Sequence, residues 1–369
     1  MRLLVVANAL IPTVQLSLLM PLAKHISSGK CFVDILTEQQ LKKQFGASLR
    51  SAGAASSIEK RWRAIRPTHI IFCRYSGPHA AMMLALAKAS AVPSIYCIDD
   101  DLLNVPQELG PEKFAFHTDP LRLQAVRYLL GNADLVYCSN ARLEQRLREN
   151  NIAGHLHVGQ IFCAGEIISP AELRPIRTVG YMGFDHAHDF EIALPGLIKV
   201  LRRFPDVQFE LFGKISKPAV LDEFGDRIVV LPVVPDYGEF LKALAVRRWD
   251  VGICPLAPID FNRVKNINKW IEYTAVGTAV VATKGMVYDE CCAHGCGLLV
   301  GPSEWEGALT ALVADPQRRF QQVQTAQRSF VINYSIERLR DQVLRMLTQA
   351  KIVSESGKRC AVLPTESVS

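Results

Sequence analysis

The sequence predicts an α/β fold built from two doubly wound, Rossmann-like domains that face each other across a cleft. Three observations lead there. Short apolar runs rich in Val, Ile and Leu recur along the 369 residues, each followed by a longer stretch with helical spacing. That alternation is the rhythm of a parallel sheet covered by helices on both faces. The rhythm runs through the chain twice, and the segment 159–177 between the two runs carries Gly159, Gly165, Pro170 and Pro175. The length also suits two domains, since single cores stop growing well before this size.

In the first half, the runs at 3–7, 32–36, 69–73, 94–98 and 135–138 read as strands, with helical patterns between them, for example at 78–90 and 121–131. In the second half the strands fall at 178–182, 207–212, 228–231, 250–254, 279–283 and 297–300. Its helices include 192–204, 237–247 and 263–276. The expected organisation is a first domain over 1–165, a second over 166–334, and a helix over 335–353 that crosses back to the first domain. The polar residues 354–369 are expected to be a disordered tail. Ligands of such sheets sit at the carboxyl ends of the strands.

Composition narrows the function classes. Apolar residues make up 49% and charged residues 21%, which is a globular balance. A net charge of +6 suits an anionic ligand or an anionic membrane face and gives no strong sign of nucleic acid. The N-terminus is apolar, but Asn8, Pro12 and Gln15 interrupt it, so a strand, turn and helix fit better than a signal peptide. No run reaches the roughly 18 apolar residues of a membrane span. The expectation is a cytoplasmic protein, with a peripheral contact at the inner membrane left open. Ten cysteines are scattered through the chain, many in strand-like runs, as small core residues of a reducing compartment. The cluster Cys291, Cys292, His294 and Cys296 lacks a second half at zinc-site spacing, so core thiols are preferred to zinc there.

The stretch FNRVKNINKWIEYTAVGTAVVATKG (261–285) concentrates the chemistry. If 263–276 is one helix, Lys265, Lys269 and Glu272 share a face at steps of four and seven. Val264, Ile267, Ile271, Thr274 and Ala275 then gather on the core side, and Gly277 ends the helix. Cations on a helix beside a cleft can bind a diphosphate, and a glutamate there can accept hydrogen bonds from a ribose diol. By periodicity alone, an ordinary solvated charged face is the favoured explanation of the pattern.

NKWIEYTAVGTAVVAT (268–283) resembles the second-domain signature of retaining glycosyltransferases of the family-four type, which have the two-domain GT-B fold. The match is closer to a subset from bacterial surface-polysaccharide clusters, of O-antigen and capsule type. Most of 178–347 takes part, and the first half less so. The family's common form has two glutamates eight positions apart. Glu272 matches the second, which the resemblance assigns to the nucleotide ribose. The first falls on Val264, so roles near the donor sugar do not carry over.

The resemblance implies further donor contacts. TVGYMGFDHAHDFE (178–191) places Gly183 at the donor phosphates, where His186 or His188 can donate a hydrogen bond. Capping of the following helix by Asp185 or Asp189 is compatible with this. LPVVPDY (231–237) resembles the segment beside the base: backbone groups around Val234 could read a base edge, and Tyr237 could stack on it or staple a helix start. The family's usual Arg/Lys pair after the first loop is absent, which leaves Arg263, Lys265 and Lys269 to neutralise the diphosphate. DVGICPLAPIDFN (250–262) ends in Asp260, Phe261 and Asn262, where the donor sugar is expected.

In the first domain, CRYSGPHAAMML places Arg74, Ser76 and His79 just past a strand, and CIDDDLLNVP does the same for Asp99, Asp100 and Asp101. Three adjacent carboxylates must be wet, cation-paired or metal-bound. Hydrogen bonding to acceptor sugar hydroxyls is the preferred role, with His117 within reach, and no metal or cofactor is expected because GT-B enzymes generally act without one.

The implied reaction moves a sugar from a nucleoside-diphosphate donor to a hydroxyl of a glycan or lipid-linked glycan, with no role for nucleic acid. Lys269, Lys265 and the Gly183 turn stabilise the leaving diphosphate. Under retention, that diphosphate accepts the acceptor's proton. Under inversion, Asp99, Asp100 or His79 is the candidate base. A sugar-nucleotide epimerase and a non-catalytic scaffold of a polysaccharide assembly complex are the competing readings.

Overall fold

The computed structural model describes residues 1–152, 154–184 and 187–361. Two compact units emerge. The first comprises Met1–Val105, Glu112–Phe162 and the chain from Leu339 onward, and the second comprises Cys163–Arg338 with Pro106–Pro111.

The first unit is built on a six-stranded parallel sheet of β1 (Arg2–Ala7), β2 (Phe32–Thr37), β3 (His69–Cys73), β4 (Ser94–Ile98), β5 (Leu135–Cys138) and β6 (Leu156–Val158). Their order is β2-β1-β3-β4-β5-β6. Leu3 to Ala7 and Ile70 to Cys73 are buried without alternation, because a central parallel strand is covered on both faces. The chain leaves β1 for β2 and returns to β3 on the other side of β1. The β1/β3 carboxyl ends are therefore a topological switch point, where crossovers depart in opposite directions and leave room for a ligand.

The second unit repeats the plan with β7 (Thr178–Phe184), β8 (Gln208–Lys214), β9 (Ile228–Leu231), β10 (Val251–Cys254), β11 (Ala279–Thr283) and β12 (Leu298–Val300). Their order is β12-β11-β10-β7-β8-β9, the doubly wound Rossmann order, with its switch point between β7 and β10. These two strands pair only at Val179 with Val251 and Gly180 with Gly252. The paired glycines make room for aromatic rings. A Cβ on Gly252 would lie 2.6 Å from the Tyr273 ring, and one on Gly180 would collide with the Trp249 indole. Beyond this pair the strands separate, and the Tyr273 hydroxyl fills the gap. It accepts the Met182 N–H at 3.1 Å and lies 3.4 Å from the Ile253 carbonyl.

The sequence expectation over 263–276 needs correction. The structure has two short helices, Asp260–Arg263 and Asn268–Ala275, joined by an irregular turn. Asn262, Asn266 and Asn268 favour such a break, because their short amides compete for backbone hydrogen bonds. The Asn262 side chain does so here, donating to the Ala257 carbonyl at 3.0 Å while Val264 turns into the core.

At the C-terminal side the last helix is longer than expected, Ile336–Ala361, so 354–361 continue it rather than forming a tail. Residues 362–369 lie outside those described. Within the first unit, Gln342 of this helix accepts the N–H groups of Gln160 and Ile161 at 2.7 and 3.0 Å, fixing the helix to the segment after β6.

Candidate functional site

In the second unit, the residues singled out by sequence gather at the β7/β10 switch point. Lys269 opens the helix Asn268–Ala275. Its ammonium sits 5.7 Å from the centre of the Tyr181 ring, a cation–π distance that keeps it over the end of β7. Glu272 lies one turn on. It belongs to a run from Trp270 to Ala275 that is buried throughout, so it is not on a solvated face. Burial pushes its carboxyl up to about 7, against the opposing pull of the Tyr237 hydroxyl and the Lys269 charge. Tyr237 corrects a second expectation. It is 7% exposed, packs 5.9 Å from Phe240, and spends its hydroxyl on Glu272, so its ring is not presented for stacking on a base.

Lys265 does not share a helix face with Lys269 and Glu272, because it sits in the turn between the two helices. Its ammonium is 3.7 Å from Asp189 and 5.4 Å from the Phe261 ring centre. Asp189 carries more structure than a helix cap. Fully buried, it accepts the Ala257 N–H at 2.8 Å and the Asn262 amide at 2.7 Å, with His188 Nε2 at 3.3 Å. It thereby ties the turn after β7 to the loop after β10, and its carboxylate answers part of the Lys265 charge.

Gly183 sits at the end of β7 in register with Gly213 of β8. Gly213 has a φ of +115°, and a Cβ there would collide with the Gly183 carbonyl oxygen. The ends of both strands are therefore bare backbone, which an anion can approach. Sequence reasoning missed Gly213, although the FGK run closing β8 mirrors the GF closing β7. Val234 is half-buried in the loop after β9. Arg263 is exposed, with Asp260 3.9 Å away. His186 lies outside the described residues.

In the first unit, Asn8 at the end of β1 grips the loop after β3. Its amide donates to the Arg74 carbonyl and to Ser76 Oγ, both at 3.1 Å, and its oxygen accepts the Ser76 N–H at 3.1 Å. Arg74 takes a left-handed φ of 50°. Its guanidinium meets Asp99 at 3.0 Å and Asp100 at 2.9 Å, so one cation answers two of the three adjacent carboxylates. Burial pushes Asp99 up to about 6, with Arg74 pulling the other way. His117 is lowered to about 4 by burial and by the nearby Arg74, so it is neutral at neutral pH.

Two expected acceptor contacts are structural instead. Asp101 is 1% exposed and turned away, accepting from Asn104 at 2.9 Å and pairing with Arg146 at 3.1 Å. His79 caps a helix with φ of 63° and bonds the Leu49 carbonyl through Nε2 at 2.8 Å. Among the described residues, no group of three or more His, Cys, Asp or Glu side chains is arranged to hold a metal ion. Cys291, Cys292 and Cys296 are buried. No helix among the described residues is long and apolar enough to cross a membrane.

No family model and no curated protein matches the chain. Solved structures do. A sucrose-phosphate synthase from Thermosynechococcus elongatus aligns over 95% of this chain and 99% of its own, with a TM-score of 0.66 and 15% identity. HepE of Anabaena, solved with UDP and glucose, aligns over 94% and 99% with a TM-score of 0.62 and 16% identity. A UDP-forming trehalose-phosphate synthase from Burkholderia xenovorans aligns over 94% and 98% with a TM-score of 0.63 and 14% identity. The chain has the GT-B fold. In GT-B terms, its second Rossmann-like domain carries Lys265, Lys269 and Glu272 after β10, and its first carries the Arg74–Asp99–Asp100 cluster. At these identities the likeness speaks for architecture, and the chemistry rests on the side chains themselves.

Proposed function

We propose that the chain is a glycosyltransferase that moves a hexosyl or related sugar from a nucleoside-diphosphate sugar to a hydroxyl of a glycan or lipid-linked glycan, with retention, in bacterial surface-polysaccharide synthesis. One observation carries the reading. Where the central strands of the second unit separate, a helix sets Lys269 over Tyr181 of β7, the strand that ends in Gly183, with Glu272 one turn on. The HepE structures, solved with UDP-glucose and with UDP plus glucose, support the donor class.

In this reading Lys269, aided by Lys265, faces the diphosphate. As the glycosidic bond breaks, the electron pair goes to the β-phosphate oxygen. A fixed ammonium in a poorly hydrated site stabilises that charge without reorganising, usually the largest contribution in such catalysis. The departing phosphate takes the acceptor's proton as the new bond forms on the same face. Glu272, in its ionised form, accepts from the ribose diol. Arg74, Asp99, Asp100 and His117 hold the acceptor. No metal or organic cofactor takes part. The lipid-linked form of the acceptor would bring the protein to the cytoplasmic membrane face.

Calorimetric titration with UDP-, GDP- and dTDP-sugars tests this. Binding of at least one donor, weakened in Lys269→Ala, is expected. Absence of binding to all three would sink the reading, and product formed without an acceptor would point to epimerisation.

A further inference from the structure

The cluster at the switch point of the first unit has a part that the donor chemistry does not use. Phe116, on the helix Pro111–Thr118, is 38% exposed. The Arg122 guanidinium lies over one face of its ring, 3.7 Å from the centroid. Arg122 is itself immobilised. It grips Glu38 through two hydrogen bonds of 2.9 and 2.7 Å and reaches Ser76 Oγ at 3.3 Å. Glu38 is held in place where the capping box of Thr37 and Gln40 starts its helix. The ring is therefore a rigid surface, fixed before any ligand arrives, which lowers the ordering cost of binding. The neighbouring His117 ring sits edge-on at 5.0 Å and feels the charges of Arg74 and Asp100. Because Arg122 also reaches Ser76, Phe116 is tied to the loop after β3 that carries Arg74.

The charge inventory selects the ligand class. Three guanidiniums at this end are engaged: Arg74 with Asp99 and Asp100, Arg122 with Glu38, and Arg146 with Asp101. These three meet four carboxylates, and Lys113 and Arg50 are the further cations nearby. A phosphate arriving here would have to break a partly buried ion pair and approach carboxylates of its own sign, and both are costly. An uncharged polyol meets neither obstacle. A pyranose has an apolar face of C–H groups and a rim of hydroxyls, which matches an exposed aromatic ring beside a paired donor and acceptor.

We infer that Phe116, Arg74 and Asp100 form a subsite for an uncharged pyranose ring of the acceptor, with the sugar stacked on Phe116 and its hydroxyls paired to Asp100 and Arg74. This rests on reading the first unit as the acceptor-binding one. The chain then accepts a neutral glycan terminus and discriminates against a phosphorylated monosaccharide.

Saturation-transfer-difference NMR on the full chain tests it, with methyl gluco-, galacto- and mannopyranosides as probes and the matching hexose 6-phosphates as competitors. The expected result is saturation of the C–H protons of at least one neutral hexoside. That signal is lost in Phe116→Ala, kept in Phe116→Trp and weakened in Asp100→Asn, and the corresponding phosphate binds at least about tenfold more weakly. Silence from all three hexosides, a signal that survives Phe116→Ala, or equal or tighter binding of a hexose phosphate would each overturn the assignment. The readout needs no donor and no turnover. Hexoside binding at Phe116 in a chain that binds no nucleotide sugar would leave the subsite standing and remove the transferase reading.

Discussion

The Tyr237 hydroxyl donates a hydrogen bond to the Glu272 carboxylate, and both side chains are more than nine-tenths buried. The bond joins the helix that follows β9 to the helix that follows β10. Cys163 and Cys254 also lie near Glu272, but as thiols raised well above their ordinary range by burial they stay neutral. Lys269 and Tyr237 are thus the groups that favour the ionised carboxylate, and burial is what opposes it.

Donor affinity should follow the ionisation of Glu272. With its carboxyl near 7, a ribose diol finds a full acceptor above that pH and a poorer one below it. Donor Kd should therefore weaken as pH falls through about 7. Tyr237→Phe removes one stabilising O–H and should move the midpoint up by roughly one unit, because hydrogen bonds to charged groups are worth about 1.5–3 kcal/mol. Calorimetry across the pH range checks this. Coincident profiles for the two proteins would remove Tyr237 from the site.

Glu272 should also cost stability when ionised. Its folded pKa lies above the ordinary 4.5, so the stability it favours is present at low pH and lost as pH rises through about 7. Glu272→Gln keeps an acceptor for Tyr237 and removes the buried charge. The variant should unfold at a higher temperature at pH 8, by an amount reflecting at most about 3–4 kcal/mol, and lose that advantage at acidic pH. Donor binding should fall together with the gain in stability. Thermal melts at both pH values decide it, and an unchanged melting temperature at pH 8 would contradict the buried charge.

Lys269 and Lys265 should separate kinetically. Lys269→Ala should lower kcat by about 100-fold or more, the usual loss when one donor to a developing oxyanion is removed. Lys265→Ala should cost less, because Asp189 already answers its charge. Steady-state rates at saturating donor compare the two, and the reverse ranking would reassign the principal cation.

Asp101 should behave differently from Asp100. Its carboxylate is committed to Arg146 and Asn104. Asp101→Ala leaves Arg146 without that partner and should destabilise the first unit by about 1–3 kcal/mol while kcat stays near wild type in the folded fraction. Denaturant melts and active-site titration separate these effects. A large loss of kcat with unchanged stability would return Asp101 to the acceptor site.

The sheets were legible because their strands are buried on both faces and so read as unbroken apolar runs, as in Leu3 to Ala7. That Lys269 and Glu272 share a helix was legible from their spacing. Lys265 was misplaced because the apolar periodicity continued through the turn between the two short helices. Tyr237 and Asp189 were under-read for a different reason. Their partners, Glu272 and Asn262, lie 35 and 73 positions away along the chain, and no local pattern announces such a pairing. Asp101 was grouped with its two neighbours because adjacency in sequence hid that its carboxylate turns toward Arg146.

Tyr273 shares one helical turn with Lys269 and Glu272 while its hydroxyl holds the Met182 amide at the split between β7 and β10. A ligand that pulls on that helix must therefore disturb one specific backbone proton in the neighbouring strand. The exchange rate of the Met182 amide thus becomes a built-in gauge of occupancy, readable without labels on the ligand.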